Sequence, residues 1–324
     1  MSVLIYTENF DGKFKKFVFE AVSYGAALAA KIGTESVALS IGEVSEEELK
    51  SLGNYGVDRI ISIHDARLST LETAAYSAVI KDIAINIDAQ AVIFASNNAG
   101  KAIAPRLSVS LKAGFVGNAM AMPVQLSPMI FKKAVFNGKA IGFSKINADK
   151  TVLTLARNSF GIVESPKDVS IESMNVNLDD SLFVTEVKDT QKITGKILLT
   201  DAEIVVSGGR GMKSGDNWGP LEELADVLGA ATACSRPVSD EGWRPHEEHT
   251  GQTGKVIAPN LYFALGISGA VQHVAGVSGS KIIVAVNTDK EAPIFEVADY
   301  GIVGDVMKVL PQFVEAVKEL KAEG

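Results

Sequence analysis

Cysteine is nearly absent from this sequence of 324 residues. The single thiol, Cys234, rules out an internal disulfide and any cysteine-ligated metal centre or iron–sulfur cluster. Histidine is scarce too, with four residues at positions 64, 246, 249 and 273. His246 and His249 have the spacing of two ligands on one helix face, but Pro245 before them and Glu247-Glu248 between them read as a solvated loop, so no metal site is expected. Long apolar runs are also missing. Ala91–Ala95 and Ile282–Val286 are far too short to span a bilayer, which excludes membrane insertion. Positive charge is in deficit: 31 Lys and Arg against 39 Asp and Glu give a net charge of −8, which argues against a nucleic-acid partner. The first residues, Met1-Ser2-Val3-Leu4-Ile5-Tyr6, lack the basic region and apolar stretch of a secretory signal, so a cytoplasmic location is expected.

What is present has the balance of an ordinary globular protein, 47% hydrophobic and 22% charged, over a length that suits two domains. The first half alternates short β-branched runs with helical periods. Strands are expected at 2–6, 36–41, 59–63 and 91–95, with helices at 14–32, 71–88 and 101–111. That alternation predicts a parallel sheet with helices on both faces. Beyond Phe131 three consecutive strands, 132–136, 139–146 and 151–156, are joined by turns at Asn137-Gly138 and Asn147-Ala148-Asp149, which suggests an antiparallel extension at the sheet edge.

From Glu164 to Thr200 no strong period survives, and the boundary is placed between about Ser181 and Thr200, giving domains 1–190 and 191–324. The second domain repeats the α/β alternation, with strands at 203–207, 231–234, 261–265, 281–286 and 294–298 and helices at 220–228, 270–275 and 306–321. In the last helix Val309, Leu310, Phe313, Val317 and Leu320 share one face.

Ligands of open parallel sheets sit beyond the carboxyl ends of the strands. In the second domain those ends carry Gly208-Gly209-Arg210-Gly211, Ser235-Arg236, Gly266-Ile267-Ser268-Gly269 and Asn287. Glycines let a backbone approach a pyrophosphate, the start of a helix at Ser268-Gly269 offers free N–H groups, and Arg210 or Arg236 supplies charge. A dinucleotide fits that set. Taken singly, each feature has a plainer reading: a tight glycine turn, a surface Arg236, a packed His273, and a Cys234 that fills space. In the first domain Ser96-Asn97-Asn98-Ala99-Gly100-Lys101 stands between strand and helix as a phosphate loop would, but it lacks the P-loop spacing, and a structural turn contacting the partner is the preferred reading.

The run Gly251-Gln252-Thr253-Gly254-Lys255-Val256-Ile257-Ala258-Pro259-Asn260-Leu261-Tyr262, continued by Gly266-Ile267-Ser268-Gly269-Ala270-Val271-Gln272-His273 and Ala285-Val286-Asn287, resembles the signature of electron-transfer flavoprotein alpha subunits. Ser235-Arg236, Ala292-Pro293-Ile294-Phe295 and Ala298-Asp299-Tyr300-Gly301-Ile302-Val303 match the same family, and a weaker likeness extends through the first domain. The resemblance implies a heterodimer in which the second domain carries FAD, while the first holds no flavin and packs on a beta subunit. It implies that Arg210, Ser235, the loop Thr250-Gly251-Gln252-Thr253, the run Ser268-Gly269-Ala270-Val271-Gln272-His273, Asn287, and Asp305 with Val306 contact the FAD. Arg236 would lie against the isoalloxazine, Thr253 near its reactive nitrogen and His273 at its pyrimidine carbonyl, with Ser268 at the pyrophosphate and Asn287 and Asp305 at the adenosine end. Cations there, Arg236 and His273, would favour the negatively charged reduced flavin.

The implied role is an electron carrier between flavin dehydrogenases, such as acyl-CoA dehydrogenases of fatty acid β-oxidation, and a membrane quinone oxidoreductase or other acceptor. Pro237 departs from the small residue common in the family, and the choice between a housekeeping subunit and one of an electron-bifurcating complex using NADH stays open. A nicotinamide-dependent oxidoreductase is the other alternative, but its three-glycine fingerprint with a following acidic residue is missing at the first strand of the second domain. A third is a non-redox nucleotide-binding scaffold.

Overall fold

The computed structural model describes residues 1–136, 140–189 and 197–323. Two compact units emerge, Met1–Thr190 and Gln191–Gly324. In the first, the chain runs β1 (Ser2–Tyr6), α1 (Lys16–Ile32), β2 (Glu35–Ile41), β3 (Arg59–Ile63), α2 (Thr73–Asn86), β4 (Ala89–Ala95), α3 (Asn98–Ser110), β5 (Gly114–Ala119), β6 (Met129–Val135), β7 (Ala140–Lys145), β8 (Thr151–Leu155) and β9 (Ser170–Met174). The sheet order is β7-β6-β5-β8-β4-β1-β2-β3-β9, parallel from β5 to β9 and antiparallel at β5-β6-β7. Gly33, in the left-handed conformation at φ 69°, ends α1 by sending its N–H to the carbonyls of Ala29 and Ala30. Helix α1 packs Val18, Val22 and Leu28 on one face of the sheet, and α2 and α3 pack Val79, Ile83 and Ile103 on the other. Each such fully buried side chain stabilises by about 1.5–3 kcal/mol.

The α/β class with mainly parallel sheets follows the alternation in the sequence, but four local expectations are corrected. Residues 151–156 are not the third strand of an antiparallel succession: β8 lies in the sheet interior, parallel to β4 and β5. All five of its residues are buried, and a strand covered on both faces suits the middle of a parallel sheet. Strand β9 lies within the stretch read as aperiodic, where β3 supplies its partner. The segment expected as strand 294–298 is instead a short 3-10 turn, Pro293–Glu296, and the strand follows at Tyr300–Val303. Leu320 in the last helix is exposed and not part of the packed face. The expected turn at Asn137-Gly138 falls outside the described residues.

The second unit runs β10 (Ile204–Gly208), α4 (Gly219–Leu228), β11 (Ala231–Cys234), α5 (Arg236–Asp240), β12 (Leu261–Leu265), α6 (Val271–Val277), β13 (Ile282–Asn287), β14 (Tyr300–Val303) and α7 (Val306–Glu323). Its sheet is parallel throughout, in the order β11-β10-β12-β13-β14. The order reverses direction between β10 and β12, and ligands of open parallel sheets bind in the crevice outside the carboxyl ends at such a switch point. Trp218, Leu221 and Leu310 fill one face, Tyr262, Val277 and Ile294 the other. Gly208 ends β10 over the Trp218 ring, where a Cβ would stand 2.4 Å from Cη2.

Candidate functional site

The crevice at that switch point opens into a cavity of about 750 Å³, within the roughly 300–1,000 Å³ of small-molecule and cofactor clefts. Its floor is backbone. The loops after β10 and β12 touch, with the Gly211 N–H donating to the Gly266 carbonyl at 3.0 Å and the Gly209 N–H to the Leu265 carbonyl at 2.9 Å. Gly266 has φ +64°, and a Cβ on Gly209 would fall 2.3 Å from the Gly266 oxygen. Only glycine allows this approach, so the strand ends are flush with the cavity.

A third wall is the loop 249–255. Thr250 binds the Cys234 carbonyl through both its N–H, at 3.0 Å, and its hydroxyl, at 3.2 Å, while the Gln252 N–H donates to the Gln272 carbonyl at 2.7 Å. A Cβ on Gly276 of α6 would fall 2.4 Å from Cα of Gly251, so loop and helix meet backbone to backbone. Behind this wall Arg244 clasps both Glu248 oxygens at 2.8 Å, reaches Glu222 at 2.7 Å and lies over the Trp218 ring.

Most of the residues expected from the sequence converge on this cavity. Arg210 comes from the loop after β10, and Ser235 with Arg236 from the end of β11. Thr250, Gly251, Gln252 and Thr253 line it from the third wall, and Ser268, Ala270, Gln272 and His273 from the start of α6. Asn287, Asp305 and Val306 complete the rim. Gly269 and Val271 are not among the lining residues. Gly269, at φ +84°, is packed against Ile294, where a Cβ would fall 2.3 Å from the backbone nitrogen, and Val271 opens α6 with its side chain exposed.

Some lining residues were not singled out from the sequence, chiefly Lys213 and His249. Lys213 stands two residues past Gly211, so following the rim a little further along the chain would have found it. It pairs with Asp305 at 3.0 Å, and that bond, with the Met307 N–H on the other carboxylate oxygen, holds Asp305 below the usual carboxylate range. His249 corrects the solvated-loop reading: it is 3% exposed, because the Arg244–Glu248 clasp draws the chain inward, while His246 stays outside. Asn287 donates to the Ile267 carbonyl at 2.8 Å and accepts from the Asp289 N–H at 3.0 Å, so its amide braces the rim.

The electrostatics divide the lining into charged and uncharged parts. Arg236 is largely exposed, held by Asp240 at 3.3 Å. Burial pushes the His273 ring down to about 4, with His249 adding to the effect and the Thr250 backbone opposing it. Burial lowers His249 as well, helped by His246 and Arg236. Burial lifts the Cys234 thiol to about 12, so it carries no thiolate at neutral pH. Burial thus disfavours the charged form of His273, against the expectation of a second cation beside Arg236. Glycine backbone, hydroxyls and the guanidinium of Arg236 on one rim, with neutral imidazoles deeper, suit a phosphorylated ring system.

Residues 198–278 match the family model described as the electron transfer flavoprotein FAD-binding domain, and residues 3–180 match the electron transfer flavoprotein domain. The chain is 37% identical over 322 residues to the electron transfer flavoprotein subunit alpha of Bacillus subtilis, covering 98% of both. It belongs to the electron transfer flavoprotein alpha subunit family. It is 37% identical over 320 residues to the subunit alpha of Syntrophomonas wolfei, with 97% of this chain and 98% of that one covered. It is also 32% identical over 352 residues to the acryloyl-CoA reductase electron transfer subunit beta of Anaerotignum propionicum, covering 98% and 96%. FAD is thus the cofactor of the C-terminal unit, and the cavity fits it. The rim has glycine backbone, which lets a phosphate come close, and the buried Nδ1 atoms of His249 and His273 make no hydrogen bond of acceptable geometry within the protein.

The N-terminal alternative fares differently. Asn97 caps α3 by accepting the Gly100 N–H at 2.9 Å and also hydrogen-bonds the Glu8 carboxylate. A helix start already capped by its own side chain and faced by a carboxylate favours the structural reading over a phosphate loop. Among the described residues no helix is long and apolar enough to cross a membrane.

Proposed function

We propose that the switch-point cavity of the C-terminal unit holds FAD, and that the chain, in a heterodimer with a beta subunit, carries electrons from flavin-dependent dehydrogenases to an acceptor oxidoreductase. The observation that carries this reading is the meeting of Gly211 and Gly266 beneath a cavity bordered by Arg236, Thr253 and His273. Bound FAD takes up and releases one or two electrons. The protein's part is to hold and tune it. Gly209, Gly211 and Gly266 let the backbone reach the pyrophosphate, with Ser268 adding a hydroxyl donor. Arg236, at the open side, would be the cation beside the isoalloxazine, with Thr253 near its reactive nitrogen. Asp305, fixed by Lys213, meets the adenosine end, and Asn287 holds the Ile267 carbonyl that shapes it. Acyl-CoA dehydrogenases of fatty acid β-oxidation are the donors this reading favours and a membrane quinone oxidoreductase the acceptor, in a cytoplasmic complex.

Purification of the full chain with its beta subunit tests the reading. One FAD per alpha chain, reduced by an acyl-CoA dehydrogenase and its substrate, is expected; a colourless complex with no flavin by mass spectrometry refutes it. The second reading is the alternative left open above, an electron-bifurcating complex using NADH. A second flavin in the complex together with direct reduction by NADH would select it.

A further inference from the structure

Tyr262, on β12, is fully buried, and its hydroxyl lies 2.8 Å from Nε2 of His273, itself 7% exposed on the cavity wall. A neutral imidazole has one donor nitrogen and one acceptor, and the hydrogen bond at one nitrogen decides which is which. The phenol O–H, with an ordinary pKa near 10, is a far better proton donor than the N–H of a neutral ring, and a buried phenol proton left without an acceptor is costly. The phenol therefore donates and Nε2 accepts, which places the ring's own proton on Nδ1. That atom is buried and makes no hydrogen bond of acceptable geometry. The groups around the pair do not supply a compensating negative charge: they are the Ser207 and Thr250 hydroxyls, the Thr250 backbone, the neutral Cys234 thiol and the His249 ring. A protonated His273 could no longer accept from Tyr262, whose proton would have to turn to the Ser207 or Thr250 hydroxyl, and a charge would stand in a buried site.

We propose that Tyr262 is a positioning residue for the flavin: by donating to Nε2 it fixes the His273 proton on Nδ1 and presents the ring as an uncharged donor, leaving positive charge at the isoalloxazine to Arg236. The inference rests on the FAD reading above. It separates two residues that the family resemblance treats alike as cations.

The test uses the full chain with its beta subunit, loaded with FAD and labelled with 15N-histidine, read by two-bond proton–nitrogen spectra. His273 is identified by its disappearance in His273→Gln. The expected parent spectrum has a protonated Nδ1 and an unprotonated Nε2 from about pH 6 to 8. A parent ring protonated on Nε2, or charged in that range, overturns the proposal without any variant. Tyr262→Phe removes only the hydroxyl, and with FAD content unchanged it should release the ring into a mixture of tautomers or a charged form. The one-electron reduction equilibrium of the flavin should then shift about threefold or more. In the His273→Gln background the same Tyr262→Phe change should leave that equilibrium unmoved. An equal shift in both backgrounds makes Tyr262 a packing residue and overturns the proposal. Loss of flavin from the parent complex would instead count against the FAD reading, since the tautomer of His273 is legible without it.

Discussion

Gly211 and Gly266 face each other so closely that a Cβ on the first would lie 2.6 Å from the Cα of the second, and a Cβ on the second 2.8 Å from the Cα of the first. The loops after two neighbouring parallel strands are thus stitched together at the point where the sheet reverses its order, and the cavity floor depends on both residues lacking side chains.

Gly266→Ala should therefore be among the most damaging single-methyl additions in the C-terminal unit. A left-handed alanine costs about 1–2 kcal/mol before any clash, and the backbone displacement adds to it. FAD affinity is expected to fall about tenfold or more, the equivalent of about 1.4 kcal/mol. Gly219→Ala is the control, since a Cβ there meets nothing within 4 Å. Flavin titrations of the two variants with the same affinity would refute the close-approach account.

Arg236→Ala removes the charge at the open side, whereas Arg236→Lys keeps it without the planar fork. Because the side chain is 64% exposed, screening reduces the Coulomb effect to about 1 kcal/mol, or about 40 mV for a one-electron couple. The alanine variant should show the lower first potential, with FAD content unchanged, in a dye-mediated dithionite titration. Potentials equal to the parent's would make Arg236 an ordinary surface residue.

His273 gives the C-terminal unit an acid-sensitive core. Its folded value of about 4 lies below the ordinary 6.5, so protons favour the unfolded chain. The contribution of the neutral ring is complete above about pH 6.5 and is lost as pH falls toward 4, a span worth about 3 kcal/mol. Urea midpoints should drop from pH 7 to pH 5 in the parent and much less in His273→Gln. An undiminished acid slope in that variant would assign the sensitivity elsewhere.

Arg244→Ala should destabilise the C-terminal unit by about 3 kcal/mol, because it strands the Glu248 carboxylate, whose side chain is only 10% exposed. Adding Glu248→Gln should restore part of the loss by removing the uncompensated charge. Denaturant unfolding of the single and double variants measures this; a double variant no more stable than Arg244→Ala would mean that the guanidinium acts through its packing on Trp218.

The sequence by itself determined the α/β alternation and where four of the five strands of the C-terminal unit end, since short apolar runs stop at Gly208, Cys234, Leu265 and Asn287 and the rim residues follow at once. Those are local properties, written in periodicity and turn chemistry. Tertiary structure decided the rest. Strand β8 enters between β4 and β5 because buried neighbours on both faces, not its distance along the chain, select its partners. Lys213 meets Asp305 across 92 positions, and His249 turns inward because Arg244 reaches Glu222 and Glu248 together. The charge on His273 follows the same rule: the residue type permits a cation near neutral pH, but burial beside Tyr262 makes the uncharged ring the cheaper state, and no local pattern encodes how much water a folded chain removes.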